Sequence, residues 1–233
     1  DDASSDSSLE IINEFISKNL PKTKSWKLVD NDQNFGINVS IKRLLRISKN
    51  PWVKVIAGDD EFSEGALKKY ENLAKDFDPR TSIFLSNMHL INENSEIIGR
   101  KEMHHNLIYQ NKFINPVNFY VNTINAPSVM IGSENYRCAL DETNARNAED
   151  WPILVYSVMK SLDFILIQSD LVKYRIHESS LSSSYNLRRK LNDKKNKIKD
   201  EVILLLEENY KKTNSIFAKF GIFCQLRKIT TKS

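Results

Sequence analysis

The sequence predicts an α/β fold built on a largely parallel sheet with helices on both faces. Two observations carry this reading. β-like and helical segments alternate through the first 90 residues. Within them, Trp52-Val53-Lys54-Val55-Ile56-Ala57 has the alternating, β-rich pattern of a strand and runs straight into an acidic loop, Gly58-Asp59-Asp60. Composition agrees: 40% of the 233 residues are hydrophobic and 27% charged, enough apolar material for a core and too much for a wholly disordered chain. The longest unbroken apolar run is the five residues from Val202 to Leu206, far below the roughly 20 that a membrane-spanning helix needs. Two cysteines, Cys138 and Cys224, are too few for a disulfide framework and fit a cytoplasmic setting.

The elements follow in order. A polar opening, Asp1 to Ser8, leads into a helix with Leu9, Ile12, Phe15 and Ile16 at helical spacing, Ser7 and Glu10 at capping-box spacing, and Pro21 closing it. Trp26 to Val29 reads as a short strand, and Trp26 and Trp52 are expected in the core. Asn31 to Gly36 is a polar turn. The next helix carries Ile37, Ile41, Leu44 and Leu45 on one face and stops before Asn50-Pro51. After the acidic loop, a helix from near Ser63 presents Leu67, Tyr70, Leu73 and Ala74. Ser82 to Ile91 is a strand, and the Asn92 to Ser95 turn makes it a hairpin with Glu96 to Gly99. A strand is expected near Val129 to Ile131. A helix starts near Asp150 with Pro152 in its first turn. Two β-like runs, Phe164 to Gln168 and Leu171 to Ile176, close the domain.

Charge divides the chain at about residue 185. From Asn186 to Ser233 there are 13 Lys/Arg against 5 Asp/Glu, a net of +8, which leaves −4 on residues 1–185 of a chain whose total is +4. A body, 1–185, therefore precedes a basic helical extension, 186–233. An acidic body without a recognition motif argues against nucleic acid as a partner.

Four clusters could carry chemistry. Asp59 and Asp60 are adjacent carboxylates whose mutual repulsion a hard divalent cation would relieve, with substrate phosphates and waters completing its shell. Asp1, Asp2 and Asp6 form a second acidic loop that could cap a helix or accept hydrogen bonds from a nucleobase or ribose. Glu149-Asp150-Trp151 places a carboxylate pair beside an aromatic ring at a helix start, where a carboxylate can act as general base toward a hydroxyl. Tyr174-Arg175-Ile176-His177 suits a phosphate-bearing ligand. Taken singly, each reads better as an ordinary cap or surface feature than as a site.

In order and spacing, these motifs resemble family 2 glycosyltransferases of the GT-A fold, especially bacterial enzymes of surface-polysaccharide (O-antigen type) synthesis. Asp1-Asp2-Ala3-Ser4-Ser5-Asp6 resembles the "DDgSxD" loop, Asn34-Phe35-Gly36 the "NxG" turn, and Ile56 to Asp60 the metal-binding DXD-type motif. Ala148 to Trp151 resembles the "ED" motif, and Tyr174 to His177 with Ser182 the "YRxH…S" segment. The resemblance covers roughly residues 1–185. It implies an inverting transferase using a nucleotide-sugar donor, Mg²⁺ or Mn²⁺, and a glycan or lipid-linked acceptor. It implies Asp150 as catalytic base and Asp60 as metal ligand. Asp1, Asp2, Asp59, Arg175 and His177 would lie on the donor nucleotide, and Glu149 and Trp151 in the acceptor or sugar pocket. Gly58 stands where the family often has Asp, and Lys42 near a place often held by Asn. The chain starts at Asp1 without an initiator Met, and the family's first strand, first helix and second strand precede the "DD" loop. An upstream segment is therefore expected.

Two other readings stay open on sequence alone. One is a nucleotidyltransferase that makes nucleotide sugars on a similar scaffold. The other is an inactive, truncated domain that binds a protein or an anionic membrane surface. The Lys/Arg cluster of 188–199 with Phe217, Phe220, Ile222 and Phe223 would supply peripheral membrane contact.

Overall fold

A computed structural model describes residues 1–19, 26–103, 125–142 and 150–177. The helix α1 (Ser8–Asn19) is followed by α2 (Ile37–Ile47), β1 (Trp52–Lys54), β2 (Glu61–Phe62), α3 (Ala66–Asp76), β3 (Ser82–Ile91) and β4 (Ile97–Lys101). A 3₁₀ turn (Ala126–Ser128) leads into β5 (Val129–Gly132) and α4 (Ser133–Asp141). Next come α5 (Asp150–Met159) and β6 (Asp163–Arg175).

The strands form one sheet in the order β1-β5-β3-β6-β2, with β4 also on β3. The long strand β3 is its spine. One edge of β3 runs parallel to β6 from Ser82 to Ile91. Its other edge is shared, with β5 beside Ile83 to Leu85 and β4 beside Met88 to Ile91. Side chains alternate along β3 as strand geometry requires. Ile83 and Leu85 enter a cluster with Ile41 and Leu45 of α2, Leu140 of α4 and Ile153 and Leu154 of α5. Phe84 faces the opposite side, with Ala66 and Tyr70 of α3, Met130, Ile167 and Leu171. Helices thus cover both faces, as expected of the α/β class.

Strand direction differs from the expectation. Among the described residues only β3 with β6 is parallel, and the other four pairings are antiparallel. Alternating strands and helices imply parallel neighbours only when each crossover returns to the adjacent position. Here β5 inserts between β1 and β3 and runs against both, and β4 returns through a tight hairpin, which is antiparallel by construction.

Smaller differences have local causes. The two β-like runs after residue 163 are one strand. The break between them is a bulge, since Ser86 pairs with Ile167 and Asn87 with Asp170, which leaves Gln168 and Ser169 as extra residues. Residues 26–29 are not a strand, and Trp26 is 48% exposed rather than in the core. Trp52 does pack against the second cluster. The inner face of α2 is Asn38, Ile41 and Leu45, with Ile37 and Leu44 partly exposed. α1 buries no residue fully. Leu9, Ile12 and Ile16 are half-buried, and Ile11 and Phe15 are exposed. The extension 186–233, Ser182, and Cys224 lie outside the described residues.

Candidate functional site

Because β3 and β6 are parallel, their carboxyl ends fall together, where ligand groups of α/β sheets gather. Asp59 and Asp60 sit at that point. A tight turn, with the Asp60 N–H donating to the Ala57 carbonyl at 3.2 Å, delivers them after β1. β2 then fastens the loop to β6, with Glu61 opposite Lys173 and Phe62 opposite Val172. The Arg175 backbone N–H donates to Asp60 Oδ1 at 2.9 Å, and His177 Nε2 lies 3.1 Å from Asp59 Oδ2. The structure therefore brings together Asp59, Asp60, Arg175 and His177, over 110 residues apart in sequence.

The other oxygen, Asp60 Oδ2, is buried and accepts no hydrogen bond among the described residues. Burial raises the Asp60 pKa, as does the neighbouring Asp59 charge, while the Arg175 N–H, Lys54 and the Arg175 charge pull it down. A desolvated carboxylate oxygen without a donor is what a hard cation would satisfy, so these residues fit a divalent metal. No group of three His, Cys, Asp or Glu side chains forms a cage among the described residues. A cation here would take its remaining ligands from substrate and water.

The Arg175 guanidinium is saturated by the protein. Nε donates to the Asp59 carbonyl at 2.7 Å. Nη1 donates to the carbonyls of Asn92 at 2.7 Å and Glu93 at 3.1 Å. Nη2 donates to Glu61 Oε1 at 2.7 Å and Ser95 Oγ at 2.9 Å. An arginine side chain has five N–H donors, and these contacts occupy all of them.

Asp1 and Asp2 lie beside the turn before α2. Asp2 Oδ1 accepts from the Phe35 N–H at 3.0 Å and from Asn31 Nδ2 at 2.8 Å, and Oδ2 accepts from the Gly36 N–H at 2.8 Å. Burial works to raise the Asp2 pKa, but hydrogen bonds from Phe35, Asn31, Gly36 and Ser40 outweigh it and hold it below the usual carboxylate range. Gly36 has φ 90°, a conformation that favours glycine, and it turns the chain so that its N–H meets Asp2. Asp1 folds over Ser4, accepting from its N–H at 2.8 Å and its hydroxyl at 2.6 Å. Asp6 accepts the Ser8 N–H at 3.0 Å, which makes it the carboxylate at the start of α1.

Two lysines that the sequence reading passed over connect these parts. Lys54, at the end of β1, donates to the Val55 carbonyl at 3.0 Å and to the Pro127 carbonyl. Its burial pushes its pKa down to about 7, against the attraction of Asp60. Lys101, at the end of β4, donates to Asn125 Oδ1 at 2.7 Å. Its pKa is lowered by burial and partly restored by the charge of Asp150, the first residue of α5. The 125–127 segment is therefore held from both sides, with Asp60 beyond one lysine and Asp150 beyond the other. Trp151 follows Asp150 in α5, and Glu149 lies outside the described residues. Lysine in an alternating strand reads as a solvent-facing residue, so only the long, unusually polar position in an otherwise apolar run could have marked Lys54.

A mixed sheet covered on both faces, with an acidic loop at the carboxyl ends of its parallel pair, is an α/β frame of GT-A type. The sequence model of glycosyl transferase family 2 matches residues 1–136, more than half of the chain, and the chain belongs to that family. Among solved structures it is similar to S. aureus TarS, residues 1–349, with a TM-score of 0.62 and 12% identity. That match covers 100% of this chain and 61% of the TarS chain, and at this identity it bears on the fold alone. A comparison with curated proteins gave no match. No helix among the described residues is long and apolar enough to cross a membrane.

Proposed function

We propose that this domain transfers a sugar from a nucleotide-sugar donor to a hydroxyl of a glycan or lipid-linked acceptor, with inversion, in the synthesis of a surface polysaccharide. The observation that carries the reading is Asp60. Its Oδ1 is fixed by Arg175, and its Oδ2 is buried without a donor, in a chain of the glycosyl transferase family 2.

Asp60 is the residue that would hold Mg²⁺ or Mn²⁺, and the ion, when bound, neutralises charge on the departing nucleoside diphosphate. Asp59 and His177 flank the same place and would orient the diphosphate or ribose. Asp1 and Asp2 would face the nucleoside. With three acceptor positions of Asp2 already committed, its part is chiefly to hold the loop. Asp150 is the general base: it takes the proton of the acceptor hydroxyl as that oxygen bonds to the anomeric carbon. The bond from that carbon to the diphosphate breaks on the opposite face, which inverts the centre. Glu149 and Trp151 would line the acceptor or sugar pocket, and the basic extension 186–233 would bring the domain to a membrane-bound acceptor.

A thermal-shift panel of UDP, GDP, CDP and dTDP, each with and without Mn²⁺, tests the donor side. One nucleotide should stabilise the wild type in a Mn²⁺-dependent way and fail to do so in Asp60→Asn. Asp150→Asn should keep that shift and lose transfer. Stabilisation that is indifferent to both Mn²⁺ and Asp60→Asn would sink the metal assignment, and full turnover in Asp150→Asn would sink the base.

A further inference from the structure

We infer that Arg175 is a positioning residue that sets the Asp59-Asp60 loop for its cation, rather than a ligand of the donor phosphates. The inference rests on the reading of Asp60 given above. An arginine near a diphosphate site is ordinarily taken for a phosphate ligand, since its fork matches phosphate oxygens. Here no prong of the fork is left. Its five N–H groups end on the Asp59 carbonyl, the Asn92 and Glu93 carbonyls, Glu61 Oε1 and Ser95 Oγ. The side chain is 16% exposed, so turning a donor toward a ligand would break one of these five hydrogen bonds in a guanidinium that is itself largely shielded from water.

The five acceptors come from two places, the residues on either side of Asp60 and the tip of the β3–β4 hairpin. The hairpin tip is itself rigid, with Asn92 Oδ1 accepting the N–H groups of Asn94 and Glu96, each at 3.0 Å. Arg175 ties that tip to the acidic loop from the end of β6, whose next N–H, that of Ile176, bonds the Ile91 carbonyl at 2.8 Å. The same residue donates its backbone N–H to Asp60 Oδ1 and its Nε to the Asp59 carbonyl. One residue thus fixes both the main chain and one carboxylate oxygen of the dipeptide, and the other oxygen, Oδ2, is what remains to present. Lysine can replace the charge but not the fork, because its three donors radiate from a single atom.

The test is calorimetric titration of the whole chain with the nucleoside diphosphate that binds in the panel, once with Mn²⁺ and once with EDTA. The wild-type ratio of the two affinities is the metal-dependent gain. Arg175→Lys should lose about tenfold of that gain while its affinity in EDTA stays within about twofold of wild type. A phosphate ligand would behave oppositely. Lysine would keep both affinities, and Arg175→Met would lose affinity in EDTA as well, an outcome that overturns the inference. Ser95→Ala removes one of the five acceptors with little threat to folding, and it should reduce the gain about twofold with no change in EDTA. An unchanged gain in Ser95→Ala and in a folded Arg175→Lys also overturns the inference. If the wild type shows no metal-dependent gain, the reading of Asp60 fails instead, which separates the two.

Discussion

Asp2 and Gly36 are 34 positions apart and joined by a 2.8 Å hydrogen bond from the Gly36 N–H to Asp2 Oδ2. Together with the Phe35 N–H on Oδ1, it gives the first turn before α2 a carboxylate partner from a distant segment. Asp2→Ala should therefore destabilise the protein by about 1–2 kcal/mol, the cost of leaving partly buried main-chain N–H groups without their partner. Asp2→Asn should recover little, because one of the two main-chain N–H groups would then meet an amide NH₂. The Asp2 pKa is depressed on folding, so its contribution is present above the ordinary carboxylate range and is lost as pH falls through the lower, folded value. Urea unfolding at a series of decreasing pH values should show wild type and Asp2→Ala drawing together only below the ordinary carboxylate range.

For Asp60 the sign is reversed. Burial raises its pKa, so the unfolded chain ionises this carboxyl before the folded one does. Stability falls as pH rises from the ordinary carboxylate range to the folded value, and above it the ionised group remains a cost. Asp60→Asn keeps an oxygen for the Arg175 N–H and removes that charge. It should raise the metal-free stability near neutral pH by about 1 kcal/mol. Nucleotide with Mn²⁺ should reverse the ranking, stabilising the wild type and leaving Asp60→Asn where it was. A destabilised Asp60→Asn in EDTA would contradict this account.

The sequence makes some of this legible and hides the rest for identifiable reasons. β3 can be read as Ser82 to Ile91 because an apolar run ends at a polar turn, and both features are local. The gathering of Asp59 and Asp60 with Arg175 and His177 is implied by the family resemblance of their motifs and by no local signal, since they lie over 110 residues apart. What Arg175 does there cannot be read, since three of its five side-chain acceptors are main-chain carbonyls, which carry no residue identity. Likewise β2 is only two residues, below any periodicity, yet it fastens the acidic loop to β6. Trp26 to Val29 has strand composition, but the Val29 carbonyl and the Asn31 N–H bond to Asp1 alone among the described backbone groups, too little to make a strand.

Lys54 predicts a pH effect of its own. Its pKa falls to about 7 in the folded protein, whereas an unfolded lysine titrates near 10.4. Between those values the unfolded chain binds more protons, so this group makes stability rise with pH. Lys54→Met, which has no such group, should lack that rise. The wild type should gain on the order of 1–2 kcal/mol relative to Lys54→Met between pH 7 and about pH 9. Parallel stability curves for the two proteins over that range would mean that the ammonium is better hydrated than its burial at the end of β1 indicates.

Lys101 should act on turnover instead. Its ammonium is held on Asn125 Oδ1 and attracted to Asp150, so it favours the ionised form of the proposed base. A base must be ionised to accept the acceptor's proton, and activity falls in acid as it protonates. In Lys101→Met the carboxylate loses that neighbouring positive charge, so the acid limb of the kcat/KM profile should move to higher pH. Activity well above that limb should change less. Lys101→Arg keeps the charge and should keep the wild-type limb. An equal loss at every pH would show that Lys101 only holds the 125–127 segment in place, since support for that segment does not depend on the proton at Asp150. A shifted limb that arginine restores is a result that packing alone does not produce.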